Sequence, residues 1–428
     1  MITVLADRHH YQLKRFLHPS LRLMQYDPIA GWTADQVREA DVLLVRTTNP
    51  VNSTTLPENS RVRFVATASA GRDHLDEAWL NRLGITVADA KGSNARSVAE
   101  YVAVAVLSAC EALEIPPSEL TAGVVGAGFT GSAAADLLEK IGVGCKRYDP
   151  PRQERELESS RDSGSGSSLE QPPSDPSYHT SFRADSRSDS RSDSQPSSQP
   201  SSQPDFRSAF RSASLEEVLG CDILTLHVPL EHNGPHATRH WLDEHKLATV
   251  PKTLVINASR GGVMDEGALL AAQQRGIVRM FACDVWENEP VFSDTTAISA
   301  SLATPHIAGY SIQAKRNASE MMCTALHRFL GLNNPEPATE EPQYEALPDR
   351  RTTLRDVLGR LHPVFSYDSS LRQLIGMPDR TKGPAFLRLR QDMPLRNEFQ
   401  EIGLDPEMLD RHPVLNTLGF RATQTGTS

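Results

Sequence analysis

The chain of 428 residues has no long apolar run, no continuous basic run and no closely spaced pair of cysteines. Each absence removes a class of function. Without about 20 consecutive apolar residues no membrane-spanning helix is expected. The opening Met1-Ile-Thr-Val-Leu-Ala-Asp reads as a short buried strand, lacking the basic flank and apolar stretch of a secretory signal. A net charge of -10 with scattered basic residues argues against a nucleic-acid surface. The five cysteines, Cys110, Cys145, Cys221, Cys283 and Cys323, show no CxxC spacing, so neither a metal site nor a disulfide framework is expected. Such usage suits a reducing compartment, and a cytoplasmic location is expected.

At this length one ordinary core is exceeded, and two or three domains are expected. Strand-like runs at 2–5, 41–45, 62–66 and 85–87 alternate with helix-like runs at 35–39 and 75–83, the pattern of parallel β-α-β units. Helical spacing follows over 95–113, and Ala122 to Val125 reads as a strand entering a glycine-rich turn that opens a second α/β domain. From about 152 to 208 the composition collapses into Ser, Asp, Arg, Gln and Pro, with too few large apolar side chains to offset the entropy of ordering, so a disordered insert is expected. Order resumes at Leu215 with a helix and a buried strand to His227; further strands are expected at 253–256, 280–284 and around Leu302. A helix over 312–330 leads to a Pro- and Glu-rich linker, and the remainder to Ser428 mixes helix-like segments with few strand signals and no recognisable chemistry of its own.

The chemistry concentrates in four places. Gly126-Ala-Gly128-Phe129-Thr130-Gly131 follows a strand and opens a helix, the context in which glycines admit a pyrophosphate to backbone N–H groups. Asp149 closes the next strand about 20 residues on, where a carboxylate accepts hydrogen bonds from the adenosine ribose. NAD is therefore the expected cofactor, with Arg147 and Arg152 keeping NADP open. Arg260, in Asn257-Ala-Ser-Arg-Gly-Gly262, stands at a strand's C-terminal end and can grip a carboxylate bidentately. Asp284-Val-Trp-Glu-Asn-Glu289-Pro and Thr304-Pro-His306-Ile-Ala-Gly309-Tyr310 set acids near a histidine, where Glu289 can fix the His306 ring and Asp284 can orient a nicotinamide carboxamide. Of the other histidines, His74 and His227 are expected to be structural beside the crevice. His9, His10, His18, His232, His236, His240, His245, His327, His362 and His412 are expected on the surface.

These pieces, with Ser69-Ala-Gly-Arg-Asp-His-Leu-Asp76, Gly92-Ser-Asn-Ala95 and Val98-Ala-Glu-Tyr101, resemble the D-2-hydroxyacid dehydrogenases. That resemblance implies a Rossmann-type doubly wound parallel sheet (95–310) inserted in a smaller flavodoxin-like α/β substrate domain (1–94 and 311–334), with Arg260, Glu289 and His306 as the catalytic set. Val45-Arg-Thr-Thr-Asn-Pro-Val-Asn52, Asp73-His-Leu-Asp-Glu-Ala-Trp-Leu80, Tyr148-Asp-Pro-Pro-Arg152, Ile223-Leu-Thr-Leu-His-Val-Pro-Leu230 and His306-Ile-Ala-Gly-Tyr310 resemble one branch of the family. That branch implies oxidation of 4-phospho-D-erythronate in vitamin B6 synthesis and a C-terminal α+β dimerisation domain over 337–428. By the same resemblance Thr47, Ser69 and Tyr310 contact the substrate, and Gly309 and Asp284 contact NAD. Its phosphate needs a cation, for which Arg46 and Arg72 are the candidates. The alternatives are another activity of the family, such as phosphoglycerate dehydrogenase or hydroxypyruvate reductase, and an NAD(H)-sensing interaction protein.

Overall fold

A computed structural model of the chain describes residues 1–162, 210–336, 343–344 and 353–423. One compact unit comprises Met1–Asp149 with Ala213–Ser428, and a second comprises Pro150–Ser212.

The first sheet contains β1 (Thr3–Asp7), β2 (Arg22–Tyr26), β3 (Val42–Val45), β4 (Phe64–Thr67) and β5 (Thr86–Ala88), all parallel and ordered β2-β1-β3-β4-β5. β1, β3 and β4 are buried along their whole length because both faces of the sheet are covered, as a parallel sheet with crossover helices requires. β2 was not expected. As an edge strand with four of its five residues partly or fully exposed, it needs no continuous apolar run to reveal it. The helix Ile312–Leu330 returns to this sheet, where Met322, Cys323 and Leu326 join Val4, Val42, Leu44 and Phe64 in one core.

The second sheet contains β6 (Thr121–Val125), β7 (Gly144–Tyr148), β8 (Ile223–Leu226), β9 (Lys252–Asn257), β10 (Val278–Cys283) and β11 (Leu302–Ala303), again all parallel. Its order, β7-β6-β8-β9-β10-β11, repeats the 2-1-3-4-5 order of the first sheet with one strand added. Such sheets bind ligands beyond the strand C-termini where the order reverses, here between β6 and β8. The helix Ala95–Leu113 is apolar almost all round and buries Val98, Val102, Val104 and Val106 nearly completely. Each such side chain contributes about 1.5–3 kcal/mol on leaving water.

The C-terminal segment adds the helices Leu354–Leu361, Val364–Arg372 and Asp379–Asp392, then a parallel three-stranded sheet of β12 (Gln343–Tyr344), β13 (Ile402–Leu404) and β14 (Arg421–Ala422). Leu358, Leu404, Leu415 and Leu418 share one core with Val98, Val102 and Val106. Polar ties accompany this packing: Arg396 meets the buried Glu100 at 2.6 Å, and Lys382 meets Asp294 at 2.6 Å.

Three histidines expected on the surface are buried, His10, His327 and His362. Ring polarity misled the expectation, since tertiary contacts engage ring nitrogens of two of them. His10 Nε2 lies 3.1 Å from the Leu44 carbonyl, and His327 bonds Asn334 and the His18 N–H. His362 sits among the rings of Tyr101 and Phe399, where burial pushes its pKa well below the ordinary value.

In the second unit the helix Pro150–Asp162 occupies residues expected to open the disordered insert. Two leading prolines, suited to the first helical turn, precede residues of good helix propensity. Within that unit Glu156 accepts from the Phe210 N–H at 2.6 Å, and Arg152 lies over the Phe210 ring at 4.3 Å. The remainder of the expected insert, 163–208, lies outside the described residues.

Candidate active site

The glycine turn lies at the C-terminal end of β6. Gly126 has φ +89°, and a Cβ there would stand 2.6 Å from the His227 carbonyl oxygen. A Cβ at Gly131 would overlap the Gly126 carbonyl, so the helix Phe129–Lys140 can approach the strand only with glycine there. Gly128 caps that helix, and nothing stands within 4 Å of where a Cβ would lie, which leaves room for a pyrophosphate to approach the turn. Asp149, at the end of β7, accepts from the Ala127 N–H at 2.8 Å, which fixes the carboxylate beside the turn. Arg147, one of two residues that kept a 2'-phosphate open, has its guanidinium held by Asp136 and Glu139 at 2.7 and 2.8 Å. These residues fit NAD. A cavity of about 570 Å³ runs from Gly128, Phe129 and Thr130 past His227 to Arg260.

A second cavity, about 830 Å³, is lined by Arg46, Thr47, Ser69, Arg260, Asp284, Glu289, His306, Gly309 and Tyr310. Every substrate and catalytic residue expected from sequence except Arg72 thus faces one space. Ser259 and Arg260 border both cavities, so a ligand in the larger one meets the inner end of the dinucleotide cleft. Arg72 borders only the smaller cavity and is engaged by Asp89 at 2.6 Å and Glu77 at 3.5 Å.

His306 Nδ1 lies 2.7 Å from Glu289 Oε2, and Glu289 Oε1 accepts from the Trp286 N–H at 3.0 Å. Burial opposes ionisation of Glu289, but His306 and then Arg390 overcome it and hold the carboxyl below its ordinary range. With the carboxylate accepting at Nδ1, the lone pair of Nε2 is left for a proton from a ligand. Asp284 is fully buried and accepts from the Thr304 hydroxyl and the Ile307 and Ala308 N–H groups at 2.7 to 2.8 Å, shaping the loop that presents His306. Its pKa is raised, burial outweighing His306 and the three donors.

Arg260 Nε faces Asp73 at 3.3 Å and its Nη1 donates to the Ser259 carbonyl. Its Nη2 passes over Gly71, where any Cβ would overlap it. His74 bonds the Thr67 hydroxyl at 2.9 Å, and burial lowers its pKa to about 4; His227 is likewise lowered to about 4 by burial. Both flank the cleft as neutral rings.

Two lining residues with permanent positive charge escaped the sequence, Lys315 and Arg390. Lys315 lies five positions beyond Tyr310, in the first turns of the helix Ile312–Leu330, and proximity could have suggested it. Arg390 belongs to the C-terminal segment in which no chemistry was recognised, yet it lines this cavity. Among the described residues no group of three His, Cys, Asp or Glu is placed to hold a metal ion.

The model of the D-isomer specific 2-hydroxyacid dehydrogenase, NAD binding domain, matches residues 194–308. The fold is shared with the D-lactate dehydrogenase of Aquifex aeolicus, solved with NAD and lactic acid, at a TM-score of 0.51 and 21% identity, covering 77% of this chain and 95% of that one. Fold and site together define an NAD-dependent dehydrogenase of the D-2-hydroxyacid type. Sequence relatives narrow the class. The erythronate-4-phosphate dehydrogenase of Marinobacter nauticus is 35% identical over 380 residues, 86% of each chain, and that of Escherichia coli 30% over 395 residues, 90% of each. The chain belongs to the erythronate-4-phosphate dehydrogenase family.

Proposed function

We propose that the chain oxidises 4-phospho-D-erythronate to (R)-3-hydroxy-2-oxo-4-phosphooxybutanoate in pyridoxal 5'-phosphate synthesis. The observation that carries this reading is the convergence of Arg260 and the His306–Glu289 pair in one cavity that shares wall residues with the cleft at the glycine turn. Arg260 binds the substrate carboxylate and the C2 oxygen, holding C2 toward the cleft. His306 Nε2 takes the C2 hydroxyl proton, and Glu289 stabilises the imidazolium that results. Bound NAD supplies the acceptor for the hydride that leaves C2 as the carbonyl forms. In the reverse direction His306 donates the proton. Thr47, Ser69 and Tyr310 offer hydroxyls to the rest of the substrate, while Gly128, Thr130, Asp149, Asp284 and Gly309 would hold the dinucleotide.

The first sheet with the helix Ile312–Leu330 acts as the substrate lobe and the second as the cofactor lobe. The C-terminal segment mediates a homodimer, which light scattering of the purified chain tests. Five unpaired cysteines, and no described helix long and apolar enough to cross a membrane, support a cytoplasmic location. The substrate assignment is tested by NADH formation with erythronate 4-phosphate, D-glycerate and 3-phosphoglycerate. The highest kcat/KM is expected for erythronate 4-phosphate; equal or better use of either glycerate would overturn the assignment in favour of another activity of the family.

A further inference from the structure

Three cations meet at one part of the larger cavity, around the Tyr310 hydroxyl. Arg390 Nη2 stands 3.3 Å from that oxygen, Lys315 Nζ lies 3.7 Å from the ring centre, and Arg46 lines the same space. Asp7 takes up part of this charge, through Arg46 Nε at 2.7 Å, and Glu289, already paired with His306, feels Arg390. Among the described residues Lys315 and Arg390 form no ion pair with a carboxylate, and Arg390 Nε is buried with no hydrogen-bond partner. Half-buried cations whose counter-charge is incomplete favour an anionic ligand in the space they face.

We propose that Arg46, Lys315 and Arg390, together with the Tyr310 hydroxyl, form the site for the phosphate group of the substrate. The inference rests on the substrate reading above. It replaces Arg72, which is engaged elsewhere, and it makes the C-terminal segment part of the active site through Arg390. Guanidinium and ammonium donors suit a phosphate dianion, and a tyrosine O–H adds a neutral donor. The local field agrees in sign. Burial disfavours ionisation of Tyr310, yet Lys315, Arg390 and Arg46 bring its pKa down from 10.0 to about 8. Burial lowers the pKa of Lys315, with Arg46 and Arg390 adding to the effect. A bound dianion relieves both, since each cation gains a counter-charge. Arg260 is left to the carboxylate, so the two anionic groups of one substrate have separate partners within a single cavity.

The test compares kcat/KM for erythronate 4-phosphate and for unphosphorylated D-erythronate in the full chain. Arg390→Gln and Lys315→Met should each lower the phosphorylated-to-unphosphorylated ratio by roughly 30-fold or more, the scale of a lost charged hydrogen bond. Arg390→Lys should recover part of it. Arg388→Gln, which alters an exposed arginine of the same helix, should keep the wild-type ratio. Inorganic phosphate should compete with erythronate 4-phosphate in the wild type and more weakly in Arg390→Gln. If both substrates fall in parallel and phosphate inhibition is unaltered, Arg390 is a structural residue and the proposal fails. If Arg388→Gln loses the preference equally, the effect is one of general surface charge and the proposal fails again. A wild-type enzyme indifferent to the phosphate would overturn the substrate reading itself, a result visible before any variant is made.

Discussion

Asp284 works on the loop before it works on any ligand. His306 has φ +58°, a left-handed conformation that costs a non-glycine residue about 1–2 kcal/mol. The next two N–H groups, of Ile307 and Ala308, both donate to Asp284, which holds the chain in that conformation. Asp284→Asn would turn an amide N–H toward one of these donors. Loss of about 1–3 kcal/mol in denaturant unfolding is expected, together with a fall in kcat; unaltered values of both would show that the loop does not depend on the carboxylate. Glu398 raises a different question of charge. Burial, and then the neighbouring Glu100, push its pKa from 4.5 up to about 7, while its carboxyl accepts from the Ser311 hydroxyl at 2.9 Å. A group with a raised folded pKa binds its proton more tightly when folded. Its contribution to stability is full below its unfolded value and is lost as pH rises through about 7. Thermal melting should therefore show a shallower decline in Tm between about pH 5 and about pH 8 for Glu398→Gln than for the wild type; parallel curves would contradict the assignment.

At the scale of elements, the helix Ala95–Leu113 joins the parts. It packs with the C-terminal core on one side, and through Glu100 it takes two arginines and the Phe399 N–H. Arg396 also reaches the Ser97 carbonyl, so one buried cation binds the segment after the helix Asp379–Asp392 to the central helix. Removing one partner of such a pair leaves the other charge buried. Arg396→Met is expected to cost about 3–5 kcal/mol in urea unfolding, with a parallel loss of activity; a cost below about 1 kcal/mol would show that the pair is solvated. The helix was legible from its apolar spacing, and so were the inner strands of the two larger sheets, because continuous apolar runs are what a doubly covered parallel sheet demands. β2 and β14 were not legible. Both are short edge strands with exposed residues, and their pairing depends on neighbours distant in sequence. Arg390 was hidden for a related reason: it lies 84 residues beyond His306, and only the packing of the C-terminal helices brings it to the cavity.

In the whole molecule, two sheets of the same strand order supply the two cavities, which share Ser259 and Arg260. The cofactor turn, the Arg260 segment and the His306 loop were legible because each follows a strand C-terminus, where such sheets place ligands. Their mutual distances were not, since the 2.7 Å contact between His306 and Glu289 depends on how the chain folds between β10 and β11. All the site residues belong to Met1–Asp149 and Ala213–Ser428. The chain leaves this unit at Asp149 and re-enters at Ala213, whose N–H donates to the Arg147 carbonyl at 2.8 Å. A short Gly/Ser linker can therefore close the gap, and replacing 150–212 should leave NADH formation within a few-fold of wild type. Failure to fold would show that the second unit supports the first.

The central claim is that His306 carries the proton in a cleft built for NAD. Its most direct test is the rate of NADH formation from erythronate 4-phosphate by His306→Ala, measured beside NADH binding by fluorescence. The rate should fall about 10²–10⁴-fold while NADH binds with near wild-type affinity; a variant that still turns over at the wild-type rate would contradict the account.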